Sequence, residues 1–155
     1  MKSIDAQMLA DATINALERT AMVLAEAAPP DQTSEPVTRF AKIRYSGPSQ
    51  GTVELGATEG FLREVAASLL GVESSEVNVD VQGMDALREL ANILGGSVIL
   101  AMSGETCRFS LGLPESAGSL DLSVPTGPKA ASCAVVAEGG VLRVKWTCES
   151  IANAA

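Results

Sequence analysis

Glu89 and Asn92 stand three residues apart in the run Gly83-Met-Asp85-Ala-Leu-Arg-Glu89-Leu-Ala-Asn92-Ile-Leu-Gly95-Gly96-Ser-Val98. On a helix that spacing sets an acid and an amide side by side on one face. With ~100° per residue, Met84, Leu87, Ala91, Leu94, Val98 and Ala101 form one apolar stripe. Asp85, Glu89, Asn92, Gly96 and Ser103 fall on the opposite side. Gly96, about one turn beyond Asn92, leaves bare backbone beside the amide. A carboxylate, an amide and a missing side chain in line suit close docking of another protein and presentation of two polar groups to it.

Two glycines inside this apolar run need a reason, because each costs about 1 kcal/mol relative to Ala in a helix interior. The helix could end at Leu94 with Gly95 as a left-handed cap. However, residues 97–102 resume the same stripe, and the Ser-Gly after Met102 is a better stop signal. The expectation is therefore one helix from about Val81 to Ser103, with Gly96 kept small for a partner. Ile93 and Leu100 project toward the polar side. They are expected to be packing residues under the first helix or a second subunit; if exposed, they become the apolar part of a docking patch.

The elements that must hold this helix alternate along the chain. Apolar side chains at helical spacing predict a first helix over about 5–27, and prolines at 29, 30 and 36 make the loop that follows. Residues 39–45 and 52–57 read as strands joined by a turn at Gly47–Gly51. Thr58 is a candidate N-cap for a helix running to about Leu70. Four more strands are predicted over 106–113, 119–124, 132–137 and 142–147, the last two joined by a hairpin at Gly139-Gly140. Hairpin-length connections allow antiparallel neighbours and forbid parallel ones. The expected fold is an α/β (α+β) domain. A mostly antiparallel sheet of about six strands carries two long helices, with an N-terminal helix beside them. One domain spans 1–155, with the N-terminal helix and loop over 1–35 and the α/β core over 36–148.

Composition narrows the function classes. The chain of 155 residues has a formal charge of −8 and is 46% hydrophobic but only 3% aromatic, so its core is aliphatic. A mean hydropathy of +0.22 and pI near 4.5 describe a compact acidic chain. That charge argues against nucleic acid or an anionic membrane as partner. There is no His, which removes the commonest general base and metal ligand. Cys107, Cys133 and Cys148 follow no metal-binding or redox spacing and are expected to be reduced strand residues. The first residues carry early acid and no continuous apolar core, unlike a signal peptide, and no run reaches the ~18 apolar residues of a membrane span. A cytoplasmic protein is expected.

The run from Asp85 to Gly96 resembles the active-site helix of the CheX/CheC chemotaxis phosphatases, whose signature is Glu-x-x-Asn with a small residue a turn later. Flanking residues agree: Gly51 to Gly71 resembles that family's strand-then-helix segment ending in Leu-Gly, and Arg108 to Pro114 resembles its next strand. The resemblance covers about 36–125. It implies hydrolysis of the phospho-aspartate on a CheY-like response-regulator receiver, with Asn92 orienting the attacking water and Glu89 pairing with the receiver's lysine. Asp85 and Gly96 would join the partner contact. No cofactor is expected on this chain, because the receiver brings its own Mg2+. The family is built from two similar halves. Setting Glu18 against Glu89 puts Ala21 where Asn92 stands, so one site per chain is expected. By resemblance to CheX the protein pairs as a homodimer. Two alternatives stay open: a non-catalytic receiver-binding or structural module of the same fold, in signalling or the flagellar switch, and an unrelated α/β protein with a chance motif.

Overall fold

The computed structural model describes residues 3–28, 36–103, 108–123, 129–137 and 139–149. In chain order the elements are α1 (Ala6–Ala21), β1 (Glu26–Ala28), β2 (Arg39–Ser46), β3 (Gln50–Ala57), α2 (Glu59–Leu70), α3 (Met84–Ser103), β4 (Ser110–Leu111), β5 (Glu115–Ala117), β6 (Ala130–Ala137) and β7 (Gly140–Glu149). The sheet order is β1-β6-β7-β3-β2-β4, with β5 also pairing along β2. All these pairings are antiparallel. The mixed architecture, with helices on an antiparallel sheet, is the one expected from the hairpin spacing.

Register explains why one sheet face is core. Ala41, Leu55, Val144 and Cys133 lie in one row across the four long strands, and Ile43, Val53, Trp146 and Ala131 in another. These rows join Leu9, Leu17, Leu62, Leu87, Leu94 and other helix residues in one apolar cluster. Side chains alternate along a strand, so the row between them faces away, placing Lys42, Glu54, Lys145 and Ser132 side by side. Its alternating charges are a favourable cross-strand pattern. Trp146 Nε1 donates to Tyr45 Oη at 3.0 Å, and Tyr45 Oη donates to the Thr147 carbonyl at 2.9 Å. Thus the polar atoms of two buried rings are satisfied. Gly51 pairs opposite Tyr45, and a Cβ there would lie 2.5 Å from Tyr45 Oη. Burial raises the Tyr45 phenol further above its ordinary value and pushes the Cys133 thiol up to about 11. Near neutral pH both stay protonated, and neither offers a base or nucleophile.

Several elements depart from the sequence reading. The first helix stops at Ala21 rather than near residue 27, because Met22 takes a left-handed conformation (φ 55°) and the Val23 N–H turns back to the Leu17 carbonyl. The next residues form the short strand β1 on β6, and Leu24 is exposed. Of the strand expected over 106–113, only β4 forms, while Thr106 and Cys107 lie outside the described residues. No strand forms over 119–123. Instead Leu122 lies against the outer face of the sheet near Gly56. The strand β5 takes Glu115–Ala117, so the sheet has seven strands. Sequence spacing lost these short edge strands because two or three residues carry no periodicity. The stretch Val79–Ser103 is also long and apolar enough to cross a bilayer by length and composition, despite its charged residues. Half of it is buried against the sheet and the other helices, as in a core helix.

The helix α3 runs unbroken through both glycines. A Cβ on Gly95 would sit 2.8 Å from Leu111 Cδ1 and 3.0 Å from Ile43 Cγ2, so this glycine lets α3 settle onto β2 and β4. A Cβ on Gly96 would meet nothing within 4 Å. Neighbouring substitutions should therefore have opposite signs. Gly95→Val should destabilise the fold by about 1–3 kcal/mol through overpacking. Gly96→Ala should stabilise it by about 0.4–1 kcal/mol through helix propensity. Urea unfolding of both variants checks this; equal destabilisation by the two would show that Gly96 also serves packing.

Candidate functional site

The polar ridge of α3 is aimed by its first turns. Asn78 opens a π-helical turn (Val79–Gly83): its side chain accepts from the Asp80 N–H, and its own N–H donates to Gln82 Oε1 at 2.8 Å. Three backbone N–H groups, of Val81, Gln82 and Gly83, converge on the Asn78 carbonyl. Arg39, at the start of β2, reaches Asp80 in this turn at 2.9 Å and Glu59 in the first turn of α2 at 3.0 Å. Arg63 on α2 donates to the Val77 carbonyl just before the turn. Exposed ion pairs contribute little stability singly. Here one guanidinium joins a strand, a helix start and the entry to α3, and so fixes the direction in which α3 leaves.

At the other end of α2, Gly71 in the left-handed region closes the helix. At its start, Thr58 is buried, and its hydroxyl accepts from the N–H groups of Phe61 and Val141. The expected N-cap therefore also ties α2 to the β6–β7 hairpin. The helix pair that brackets the site is held at both ends.

Asp85, Glu89, Asn92 and Gly96 are all exposed on the same side of α3, opposite the buried Leu87, Ala91, Leu94 and Val98. Among the described residues, the side chains of Glu89 and Asn92 make no hydrogen bond or ion pair within the chain. Asp85 differs: it is ion-paired to Arg88, which also donates to Ser116 of β5. The ridge thus presents one carboxylate and one amide with unused capacity, beside bare backbone at Gly96.

The two apolar residues on the polar side of α3 part company. Leu100, expected to pack under the first helix or a second subunit, is 59% exposed in the single chain, so α1 does not cover it, and it continues the ridge beyond Gly96. Ile93 does pack, half-buried against the core, in the groove that α3 forms with Ala12, Ala16 and Arg19 of α1. Ala21, set against Asn92 in the comparison of the two halves, is buried at the end of α1. Missed entirely were Leu69 and Leu70, at the end of α2, which line a groove of about 170 Å3 together with Ala66, Gln82, Asp85, Ala86 and Glu89. Their signal was present as two leucines directly before the Gly71 cap: Leu69 extends the stripe set by Phe61, Leu62 and Val65 into the last turn, and Leu70 stands to its side.

Comparison with known proteins bears on the fold and the family. No curated protein sequence matches the chain. The fold is that of a CheX chemotaxis protein from Desulfovibrio desulfuricans (19% identity, TM-score 0.70, covering 93% of this chain and 98% of that one). It is equally similar to CheX from Vibrio vulnificus (15% identity, TM-score 0.71, covering 91% and 93%). A third similar structure is the CheX of a CheX–CheY–beryllofluoride–Mg2+ complex from Borrelia burgdorferi (15% identity, TM-score 0.67, covering 96% and 99%). A family model, chemotaxis phosphatase CheX, matches residues 39–136, which include α2, α3 and the whole ridge. The chain belongs to the CheX family of chemotaxis phosphatases.

Proposed function

We propose that this protein hydrolyses the aspartyl phosphate of a CheY-like receiver, with Asn92 orienting the attacking water and Glu89 holding the receiver's lysine. The observation that carries this reading is the pair itself: Glu89 and Asn92 are exposed one turn apart, free of partners among the described residues, on a ridge left bare at Gly96. The Borrelia relative was solved with CheY, beryllofluoride and Mg2+, which supports a receiver as the partner class.

The chemistry fits what the ridge lacks as well as what it offers. The receiver supplies the aspartyl phosphate, a divalent ion and a lysine that together hold the phosphoryl oxygens. Hydrolysis then needs one water placed in line behind phosphorus; the P–O bond to the aspartate breaks, and inorganic phosphate leaves. Such catalysis is mostly positioning. The Asn92 carbonyl can accept from that water while its NH2 donates nearby. A carboxylate in its place would repel the phosphoryl charge. Glu89 offers its charge to the lysine before chemistry begins, which stabilises docking. No metal or cofactor on this chain enters the scheme. The protein would act in the cytoplasm, where receivers work, and as a homodimer joined through open sheet edges.

Kinetics separate the two residues. Asn92→Ala should lower the dephosphorylation rate at saturating receiver by about a hundredfold with affinity nearly unchanged, as for a contact used mainly in the transition state. Glu89→Ala should also raise the KM for the receiver. Gly96→Leu should disturb binding most, because it fills the gap beside the amide. The assay follows loss of the phosphoryl group from a phosphorylated CheY-like receiver of the same genome. Full activity in Asn92→Ala would overturn the mechanism, and receiver binding without hydrolysis by the native protein would make it a non-catalytic module. Light scattering should return about twice the chain mass of 15.9 kDa; a monomer would remove the dimer from this reading.

A further inference from the structure

The groove between α2 and α3 is apolar along its α2 wall and acidic at its α3 rim. Ala66, Leu69 and Leu70 form the wall, while Glu89 and Asp85 stand at the rim. Leu69 is 42% exposed and Leu70 53%, though they close a helix whose other large apolar residues, Phe61, Leu62 and Val65, are fully buried. Exposed leucines that gather beside a polar site mark an interaction surface. The volume of about 170 Å3 is that of one side chain, since a cavity near 150 Å3 holds a single benzene.

Resting on the receiver reading above, we infer that this groove seats one apolar side chain of the receiver, next to the lysine that Glu89 engages. Two features select that occupant. Charge disfavours an acidic segment, because the carboxylate of Glu89 borders the opening while Asp85 is paired to Arg88, and it favours a surface offering a cation. The groove is also continuous with the ridge: Glu89 belongs to both, so a protein that engages Glu89 stands at the mouth of this groove. The aliphatic stem of a lysine itself prefers such a wall while its ammonium reaches the carboxylate. Leu100, the other exposed apolar residue of the ridge, is a poorer anchor for this contact, since eleven residues of helix set it about 16 Å from Glu89. The end of α2 thereby adds docking affinity to that of Glu89 and Gly96 on α3, while the chemistry stays on α3.

Binding is measured by titrating a CheY-like receiver, held in its phosphorylated form by Mg2+ and beryllofluoride, into the native protein and into Leu69→Ser, Leu70→Ser, the double variant and Leu100→Ser. The double variant should raise Kd about tenfold, as for losing one buried leucine contact, while its turnover at saturating receiver stays within about twofold of native. Leu100→Ser should change Kd less. Native affinity in the double variant overturns the inference and leaves the phosphatase reading intact. So does a larger loss from Leu100→Ser, which would place the anchor on the α1 side. Absence of both binding and hydrolysis in the native protein overturns the phosphatase reading, and this inference with it. Circular dichroism confirms folding, and Leu69→Gln with Leu70→Gln, more favourable to helix, replaces any serine variant that fails to fold.

Discussion

The close approach of α3 to β2, made possible by the missing side chain of Gly95, is the constraint from which the rest follows. Leu111 and Ile43 occupy the space a Cβ would need, so the helix axis is set by what is absent there. With that contact made, Leu87, Leu94 and Val98 fall into the core, and the opposite side of the same helix must face outward. The outward side carries Asp85, Glu89, Asn92 and Gly96. Packing on one side of a helix therefore decides which polar groups a partner meets on the other. An added side chain at Gly95 would tilt or lift the ridge without touching any of its residues.

The sheet supplies the second half of that constraint. Rows of aliphatic residues in register across β2, β3, β7 and β6 make a flat apolar platform with few aromatic rings. Its one tryptophan is locked by the Tyr45 hydroxyl, which in turn is fixed on the Thr147 carbonyl. Close packing of this kind transmits displacements rather than absorbing them. Arg39 adds a polar tie at the edge of the platform, holding the starts of α2 and α3 to the end of β2. Core and clamp together orient the helix that carries the exposed ridge, and Arg88 adds a tie to Ser116 of β5.

Much of this was legible from spacing. Alternation located β2, β3, β6 and β7, the threonine cap located the start of α2, and the 3.6-residue stripe carried α3 past its two glycines. What escaped had no local signal. Met22 ends α1 in a left-handed conformation that residue type does not announce, and β1 and β5 exist only because longer strands offer them an edge. The π-helical turn depends on Asn78 and Gln82 closing on each other, a tertiary-scale choice among polar residues that read equally well as loop. Leu100 was placed under the first helix or a second subunit, and the first helix stops short of covering it. The pairing of Arg88 with Asp85 and the groove beside Leu69 depend on how two helices meet, which no single helical wheel contains.

The electrostatics of the ridge fit its proposed task better than those of the whole chain. A formal charge of −8 should repel a phosphorylated partner at long range. Along the ridge, Arg88 offsets Asp85, leaving Glu89 as the one carboxylate without a partner among the described residues. The next polar group, Asn92, is neutral. A single charge can select a lysine without gathering enough negative potential to push the phosphoryl group away, and a neutral amide one turn on can approach phosphorus at no Coulombic cost. The exposed leucines of α2 then fill a need that charge cannot, because screening weakens surface attraction beyond about 10 Å while apolar contact is indifferent to salt. On the proposed reading, an acidic chain would hold an anionic substrate by confining attraction to one carboxylate and drawing the remaining affinity from surface that carries no charge.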